Sequence, residues 1–308
     1  MKMKLLKNIR TLMSSSTWKK KAIWLSYDFP DQIQFQGGRL FLKSIDLVID
    51  PAKFEFILDG FDYIKQLHEF GKFKFTIEGE YVVASNGVIS SEIHTAEELF
   101  ILREIWLGKD YSFMNTSDVI IIDVGMNVGH ASLYFASRDD VKHVYGYEPF
   151  VPTYNQCKKN LERNSSLAQK ITTYNYGLSN EEKVLEVDYD YANKGQVGIH
   201  GTALIRSVIK SENTERIELL PACQAIRKII DRHPGFEFFC KIDCEGGEYD
   251  IFQDFFENGI PESIKGFMIE WHDRGPNELL SILKSYKYKG VSTNTYSQKV
   301  GMLYAFRD

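Results

Sequence analysis

Several features are scarce or missing in this sequence, and each absence excludes a class of protein. Only four cysteines occur in 308 residues, and no two of them form a CxxC pair. This spacing fits neither a zinc knuckle nor a disulfide framework, and it favours a reducing, cytoplasmic compartment. No run of 18 apolar residues occurs, so no transmembrane helix is expected. The net charge of −5 disfavours a protein coated in basic residues, and no nucleic-acid partner is expected.

The composition that is present predicts a soluble globular protein with one large and one small part. Apolar residues make up 44% of the chain and charged residues 26%. The length suffices for a Rossmann-size core, expected at residues 111–308, and an accessory α+β region, expected at residues 1–110. The first 21 residues are basic without a continuous apolar run, so they do not resemble a signal peptide. We expect a solvated helix or a frayed arm there, with weak contact to a membrane surface as the alternative.

Hydrophobic patterning changes from mixed to regularly alternating near residue 118. Before that point, residues 73–77 and 81–84 predict a hairpin, and Thr95 with Glu98 predicts a helix cap. After it, strand-like and helical patterns alternate, which predicts a doubly wound, mostly parallel sheet of seven strands. The predicted strands are 119–122, 143–147, 171–176, 236–242, 264–271, 288–292 and 302–306. Residues 183–209 are expected to form an inserted hairpin.

The strongest motif runs from Asp123 to Gly129, with the sequence Asp-Val-Gly-Met-Asn-Val-Gly. It follows a buried strand and opens a helix, and its glycines allow the backbone to approach a ligand closely. The motif is neither GxGxxG nor GxxxxGK[ST], which disfavours a pyrophosphate or triphosphate cradle. Asp123 suits a ligand with a cationic end. The alternative is a tight strand-to-helix turn without a ligand.

Polar residues also follow the next predicted strands. Glu148 lies 25 positions after Asp123, where an acid can accept hydrogen bonds from a ribose diol. Lys241, Asp243 and Glu245 share parity at a later strand end, and this charge density favours a functional site over a solvated face.

The strand after that block ends in Glu270-Trp271-His272. His272 suits a general base, because its unperturbed pKa lies near neutral pH. Alternatively, Asp243, Glu270 and His272 could bind a divalent cation such as Mg²⁺. A hydrogen-bonded structural histidine is the third possibility.

These motifs, in this order, resemble the FkbM family of methyltransferases. The resemblance covers residues 92–308 and implies a class I methyltransferase fold, S-adenosylmethionine as cofactor, and O-methylation of a sugar hydroxyl, as in polysaccharide biosynthesis, or of a secondary metabolite. It implies cofactor contacts at the following positions: Asp123, Gly125, Asn127, Gly129, Glu148, Asn175, Gly177 and Asp243. It also places Lys241, Asp243, Glu245 and Glu248 near the methyl group. Two departures are visible: Met126 replaces a small residue, and no acid occurs in residues 220–224.

The sequence therefore predicts an S-adenosylmethionine-dependent O-methyltransferase with a small-molecule or glycan acceptor. We expect His272 or Asp243 to act as base and Glu245 to position the acceptor. The alternatives are an RNA methyltransferase, an inactive cofactor-binding module and, with less support, a nucleotide-dependent oxidoreductase.

Overall fold

The computed structural model describes residues 17–29, 31–36, 38–112, 118–198, 213–297 and 299–307. The chain divides into two compact units, Met1–Gly108 and Lys109–Asp308. Within the described ranges, no helix is both long and apolar enough to cross a membrane.

The first unit combines helices with two three-stranded antiparallel sheets. The predicted hairpin is confirmed, and the Thr95 Oγ1 accepts a hydrogen bond from the Glu98 N–H at 3.2 Å. Because this bond satisfies a free N–H at the helix start, it defines where the helix begins. The elements are α1 Thr17–Asp28, β1 Ile33–Gln36, β2 Arg39–Leu42, β3 Leu47–Ile49, α2 Glu55–Asp59, α3 Phe61–Gly71, β4 Lys74–Glu78, β5 Tyr81–Ser85, β6 Ser90–Ile93 and α4 Ala96–Arg103, which continues as a π-helical turn over Glu104–Gly108.

The second unit is built on a seven-stranded sheet. Its strands, with those of a smaller sheet, are β7 Val119–Val124, β8 Val141–Tyr147, β9 Ile171–Tyr174, β10 Gly177–Ser179, β11 Lys183–Asp188, β12 Thr214–Pro221, β13 Glu237–Ile242, β14 Ile264–His272, β15 Lys289–Ser297 and β16 Val300–Phe306. The large sheet has the order β9-β8-β7-β13-β14-β16-β15, and β16 runs antiparallel to both neighbours. This arrangement confirms the expected class I methyltransferase fold, a doubly wound, mostly parallel α/β sheet.

Helices connect the strands of the large sheet. They are α5 His130–Ala136, α6 Val151–Arg163, α7 Ser165–Ala168, α8 Ala222–Ile230, α9 Glu248–Asn258 and α10 Asn277–Ser285. Every residue of β7 is buried, as its unbroken apolar run predicts for a strand covered on both faces. Ile120, Ile122 and Val124 share one apolar core with α8, α9 and α10. This core fixes the carboxyl end of β7 in the centre of the unit.

The insertion after β10 forms a sheet of its own, in the order β10-β12-β11. β11 falls inside the hairpin predicted for residues 183–209, but its antiparallel partner β12 lies further along the chain. The second half of that prediction was therefore misplaced, and residues 199–212 lie outside the described part of the chain. Phe150, Tyr189, Val197 and Leu219 belong to one small apolar cluster, which packs the insertion beside the end of β8.

The helix α8 starts within residues 220–224, where the sequence has no acid. The Cys223 N–H donates to the Asp254 carboxylate of α9 at 2.6 Å. An acid from a neighbouring helix thus satisfies the helix start, a role that a local side chain usually fills.

Candidate active site

A pocket opens at the carboxyl ends of β7, β8 and β13. In the doubly wound sheet, the chain order reverses between β7 and β13, and ligands of such sheets bind in the crevice at this position. The lining is formed by Val124, Gly125, Asn127, Tyr147, Glu148, Pro149, Phe150, Gly177, Leu178, Lys194, Gly195, Val197, Gly198, Leu219, Asp243, Cys244, Glu245 and Gly247. Predicted residues from three separate motifs therefore meet in one cavity.

The loop after β7 is held against the neighbouring strand ends through its backbone. The N–H groups of Gly125 and Met126 both donate to the Tyr147 carbonyl, at 3.1 and 2.9 Å. Gly125 has a φ of 75°, and a Cβ placed on it would lie 1.7 Å from the Asp243 carbonyl oxygen. Only glycine fits here, because both the backbone conformation and the close approach exclude a side chain.

Beneath this loop lies a buried ion pair. The Lys241 Nζ is 3.2 Å from the Asp123 carboxylate and 3.6 Å from that of Asp243, and it donates to the Gly125 carbonyl at 2.5 Å. Burial alone would lower the pKa of Lys241, but the charges of Asp123 and Asp243 outweigh it and raise that pKa. Asp123 is fully buried and also accepts from Ser132 at 2.6 Å. Asp123 and Lys241 therefore support the loop from behind the pocket wall.

Glu148 is the carboxyl on the β8 side of the pocket. It accepts hydrogen bonds from the N–H groups of Asn127, at 2.9 Å, and Phe150, at 3.0 Å. Burial raises the pKa of Glu148 to about 7, although these two bonds favour the charged form. A carboxylate offers more acceptor positions than these two bonds use, so Glu148 can also accept from a ligand hydroxyl.

Three of the predicted cofactor residues, Asp123, Gly129 and Asn175, lie outside the lining, and Asp123 is fully buried in the ion pair with Lys241. Asn175 donates its side-chain amide to the Glu148 carbonyl at 2.9 Å, which fixes the chain after β8. Gly129 precedes α5 with a φ of 88°, and a Cβ there would lie 2.8 Å from the Cys157 sulfur. These residues shape the backbone around the pocket, whereas Gly177 lines it directly.

The turn after β13 presents carboxylates to the pocket. Asp243 and Glu245 both line the cavity, and Glu245 has a left-handed φ of 52°. The Tyr111 hydroxyl donates to the Asp243 carboxylate at 2.9 Å. Burial and the charge of Asp243 raise the pKa of Tyr111 well above its ordinary value, so the hydroxyl keeps its proton. The sequence analysis assigned no role to Tyr111, which stands 132 positions before Asp243 in the chain.

His272 is held between two acids at the end of β14. Its Nδ1 lies 3.3 Å from Glu248 and its Nε2 lies 3.5 Å from Glu245. Burial opposes protonation, but the hydrogen bond with Glu248 and the charges of Glu245, Glu248 and Asp243 raise the pKa of His272 to about 11. A general base must be unprotonated, so this environment disfavours the base role expected for His272.

Glu248 connects the same turn to β14. Its carboxylate is fully buried and accepts from the backbone N–H of His272 at 2.7 Å and of Gly246 at 2.8 Å. The left-handed turn and these bonds bring the Glu245 carboxylate towards the imidazole.

A group of possible metal ligands lies in this turn. In the ranges that the structure describes, ligand atoms of Asp243, Glu245 and His272 lie within 4.8 Å of one another. The group contains Glu245 and not Glu270, which was the predicted third ligand, because the turn after β13 places Glu245 beside His272. A cation at this group would have to displace the proton of His272, since a metal ligand must be neutral imidazole.

The insertion supplies part of the pocket that no motif indicated. Lys194 is almost fully buried and donates to the Gln156 side-chain oxygen at 2.5 Å. A Cβ on Gly198 would lie 2.1 Å from the Glu245 carbonyl oxygen, so this segment touches the turn after β13. The sequence analysis missed these residues because they become adjacent to the pocket only through tertiary packing.

Met126, the large residue in the loop, points away from the pocket. Its sulfur lies 3.6 Å from the Cys157 sulfur, and a Cβ on Gly146 would lie 2.3 Å from it. The absence of a side chain at Gly146 therefore provides the space that Met126 fills.

Comparison with known proteins decides the family. The model of the methyltransferase FkbM domain matches residues 123–289, more than half of the chain. The chain belongs to the FkbM methyltransferase family. A curated relative is the AMB antimetabolite synthetase AmbE of Pseudomonas aeruginosa, which is 32% identical over 90 residues, or 28% of this FkbM chain and 4% of the synthetase.

Solved structures that align with parts of this chain include other methyltransferases. The methyltransferase FkbM from Methylobacillus flagellatus KT has a TM-score of 0.43 and 16% identity, covering 68% of this chain and 54% of that one. The METTL16 methyltransferase domain has a TM-score of 0.42 and 12% identity, with 95% of both chains covered. The FkbM chain thus spans a small part of the curated relative and about half of the first structure. These likenesses carry no information on the acceptor.

Proposed function

We propose that this chain is an S-adenosylmethionine-dependent O-methyltransferase that acts on a hydroxyl of a small molecule or glycan. The observation that carries the proposal is the pocket itself. It unites the loop at Gly125 and Asn127 and the acid Glu148 with the carboxylates Asp243 and Glu245. Membership of a methyltransferase family supports methyl transfer, and the pocket supports a nucleoside-bearing donor.

The residues present fit such a cofactor by their chemistry. Glu148 would accept hydrogen bonds from a ribose diol, and Leu178 and Phe150 offer apolar surface for a base. Asp243 and Glu245 provide negative charge for the cationic end of the ligand. When bound, S-adenosylmethionine supplies a methyl group on a sulfonium sulfur, which becomes a neutral thioether when the methyl group leaves.

The chain's own part in the reaction is to orient the acceptor and to take its proton. We assign the proton to the Asp243 carboxylate, because Asp243 lines the pocket whereas His272 is held protonated. As the acceptor oxygen gains the methyl carbon, its O–H bond breaks and the proton passes to an Asp243 oxygen. Tyr111 holds that carboxylate in place through its hydrogen bond. Glu245, placed beside His272, orients the acceptor.

A neutral hydroxyl acceptor is the class that the charge of the pocket favours. Three carboxyl groups line it, and Lys194 is the cation among the lining residues described. An anionic acceptor such as a sugar phosphate would meet this negative charge, which raises the free energy of its binding. A divalent cation bound by Asp243, Glu245 and His272 would instead favour an anionic acceptor. The test of methyl transfer is therefore carried out with and without EDTA.

The proposal is tested first by cofactor binding. The purified full chain is titrated with S-adenosylmethionine, S-adenosylhomocysteine and NAD by calorimetry, beside Glu148→Gln and the surface control Glu257→Gln. We expect binding of both adenosyl ligands that Glu148→Gln weakens about tenfold, the loss of one good hydrogen bond to a charged group. Binding of NAD alone would overturn the proposal in favour of an oxidoreductase.

The reaction itself is tested by transfer of labelled methyl to panels of glycans, hydroxylated metabolites and RNA, with and without EDTA. We expect label in a hydroxyl-bearing small molecule or glycan. Label in RNA would move the chain to the RNA methyltransferase alternative. Cofactor binding without transfer to any panel would favour the inactive binding module.

A further inference from the structure

One surface outside the pocket combines positive charge with exposed aromatic rings, and it lies on α1 of the first unit. This helix is anchored on one side by Ala22, which is fully buried. Lys21 adds two ion pairs, because its Nζ lies 2.9 Å from the Glu55 carboxylate and 2.7 Å from the Asp59 carboxylate of α2. One side of α1 therefore packs against the first unit, and the other side is exposed.

The outward side has the spacing of one helical face. Lys20, Trp24 and Tyr27 follow one another at i, i+4 and i+7, and all three are exposed. Trp24 is 61% and Tyr27 53% exposed, and their rings lie 6.4 Å apart. Two adjacent exposed rings form an apolar patch on this face, and such patches mark sites of interaction with a protein or a membrane. Tryptophan and tyrosine side by side are typical of contacts with an apolar–aqueous boundary.

The charge of this region differs in sign from that of the rest of the chain. α1 contains three lysines, Lys19, Lys20 and Lys21, and one aspartate, Asp28, although the whole chain carries −5. Lys19 and Lys20 are exposed on α1, with the Lys19 Nζ 5.3 Å above the Trp18 ring. A positive surface with interfacial aromatics attracts an anionic surface.

We propose that α1 binds an anionic membrane surface. Lys19 and Lys20 lie at the level of the lipid headgroups, and Trp24 and Tyr27 enter the interface. A convex helix with two adjacent rings fits a lipid surface better than a nucleic acid, since single strands are bound in basic grooves. The charge and the aromatic rings supply the two weak signals that reversible membrane binding needs.

The test measures sedimentation of the full chain with phosphatidylcholine vesicles, with and without phosphatidylglycerol, at low and raised salt. We expect binding to the anionic vesicles alone, weakened by salt. Lys19→Ala/Lys20→Ala should weaken partitioning about fivefold for each lysine. The matched control is Lys43→Ala/Lys74→Ala, which removes two exposed lysines elsewhere on the unit and should leave binding unchanged.

The aromatic contribution is tested by Trp24→Ala/Tyr27→Ala, which should weaken partitioning about tenfold or more. Phe70→Ala is its control, because Phe70 is 72% exposed on α3 and lies outside the proposed surface. Equal binding to neutral vesicles, no binding, or equal losses in variants and controls would each overturn the proposal. Binding of single-stranded RNA that anionic vesicles do not compete for would reassign the surface to nucleic acid. None of these outcomes depends on methyl transfer.

Discussion

The loop after β7 and the turn after β13 meet in the same pocket, but they use opposite parts of the chain. The loop at residues 125–129 presents backbone and small side chains, and its acid Asp123 is fully buried. The turn at residues 243–247 presents the carboxylates of Asp243 and Glu245. Each contains one left-handed residue other than glycine, Asn127 in the loop and Glu245 in the turn. A left-handed backbone thus allows the chain to pass close to its neighbours in the loop, and it places a charged side chain in the turn.

The supports of the two segments differ in the same way. An ion pair between Lys241 and Asp123 holds the loop from below. Glu248 and His272 hold the turn from the side. We infer that changes to the first support act mainly on stability, whereas changes to the carboxylates of the turn act mainly on turnover.

The largest effect is expected for Asp243→Asn, which keeps the shape of the turn and removes its base. Turnover should fall about 10²- to 10⁴-fold, the usual contribution of general base catalysis. The free energy of unfolding should change by about 1 kcal/mol, the size of one hydrogen bond. Turnover is measured by single-turnover transfer of labelled methyl, and the free energy of unfolding by denaturant titration. Glu257→Gln is the surface control. Unchanged turnover would remove Asp243 from the mechanism.

Lys241→Met tests the support of the loop. It leaves the buried carboxylate of Asp123 without its cation, which should lower the free energy of unfolding by about 3–5 kcal/mol. Lys142→Met is the matched comparison, because Lys142 pairs with Asp118 at 3.1 Å on the surface. That exposed pair should contribute about 1 kcal/mol or less. Equal losses in the two variants, measured by urea unfolding, would contradict a special role of the buried pair.

Gly125→Ala tests the contact between the two segments. The left-handed backbone and the clash with the Asp243 carbonyl together should cost about 2–5 kcal/mol. Gly235→Ala provides the control, since Gly235 has a similar φ of 86° but a Cβ placed on it would meet no atom within 4 Å. Gly235→Ala should lower the free energy of unfolding by about 1–2 kcal/mol, the cost of the left-handed backbone without a clash. If both variants unfold alike, the close approach at Gly125 does not constrain the pocket.

The last prediction concerns the proton on His272. Nitrogen NMR should show a protonated imidazole at pH 8, while His143 and His233 are neutral because burial lowers their pKa values. The folded pKa exceeds the unfolded one, so its contribution to stability is fully present below about pH 6.5 and is lost as pH rises towards 11. Unfolding of the wild type relative to His272→Gln should follow this slope. A neutral His272 at pH 8 would restore it as a candidate base.

Much of the fold and part of the site could be predicted from local patterns. Three features could be recognised from neighbouring residues alone: the apolar run of β7, the glycine spacing after it, and Glu148 at the end of β8. The turn was predicted as a charged cluster, but the pairing of Glu245, rather than Glu270, with His272 was not. The position of Glu245 beside His272 depends on the left-handed turn and on the hydrogen bond that Glu248 accepts from the His272 N–H. Neither feature leaves a periodic signal in the sequence.

By itself, the sequence determined the strand and helix alternation, the class of the sheet and the positions where chemistry is concentrated, because hydrophobic period and glycine placement act over a few residues. Only the tertiary structure decided which charges are exposed to the pocket and which are buried as support. It placed Tyr111 on Asp243, Lys194 in the pocket wall and Lys241 beneath the loop. Ionisation depends on burial and on neighbours distant in sequence, so the protonated state of His272 follows from the fold alone.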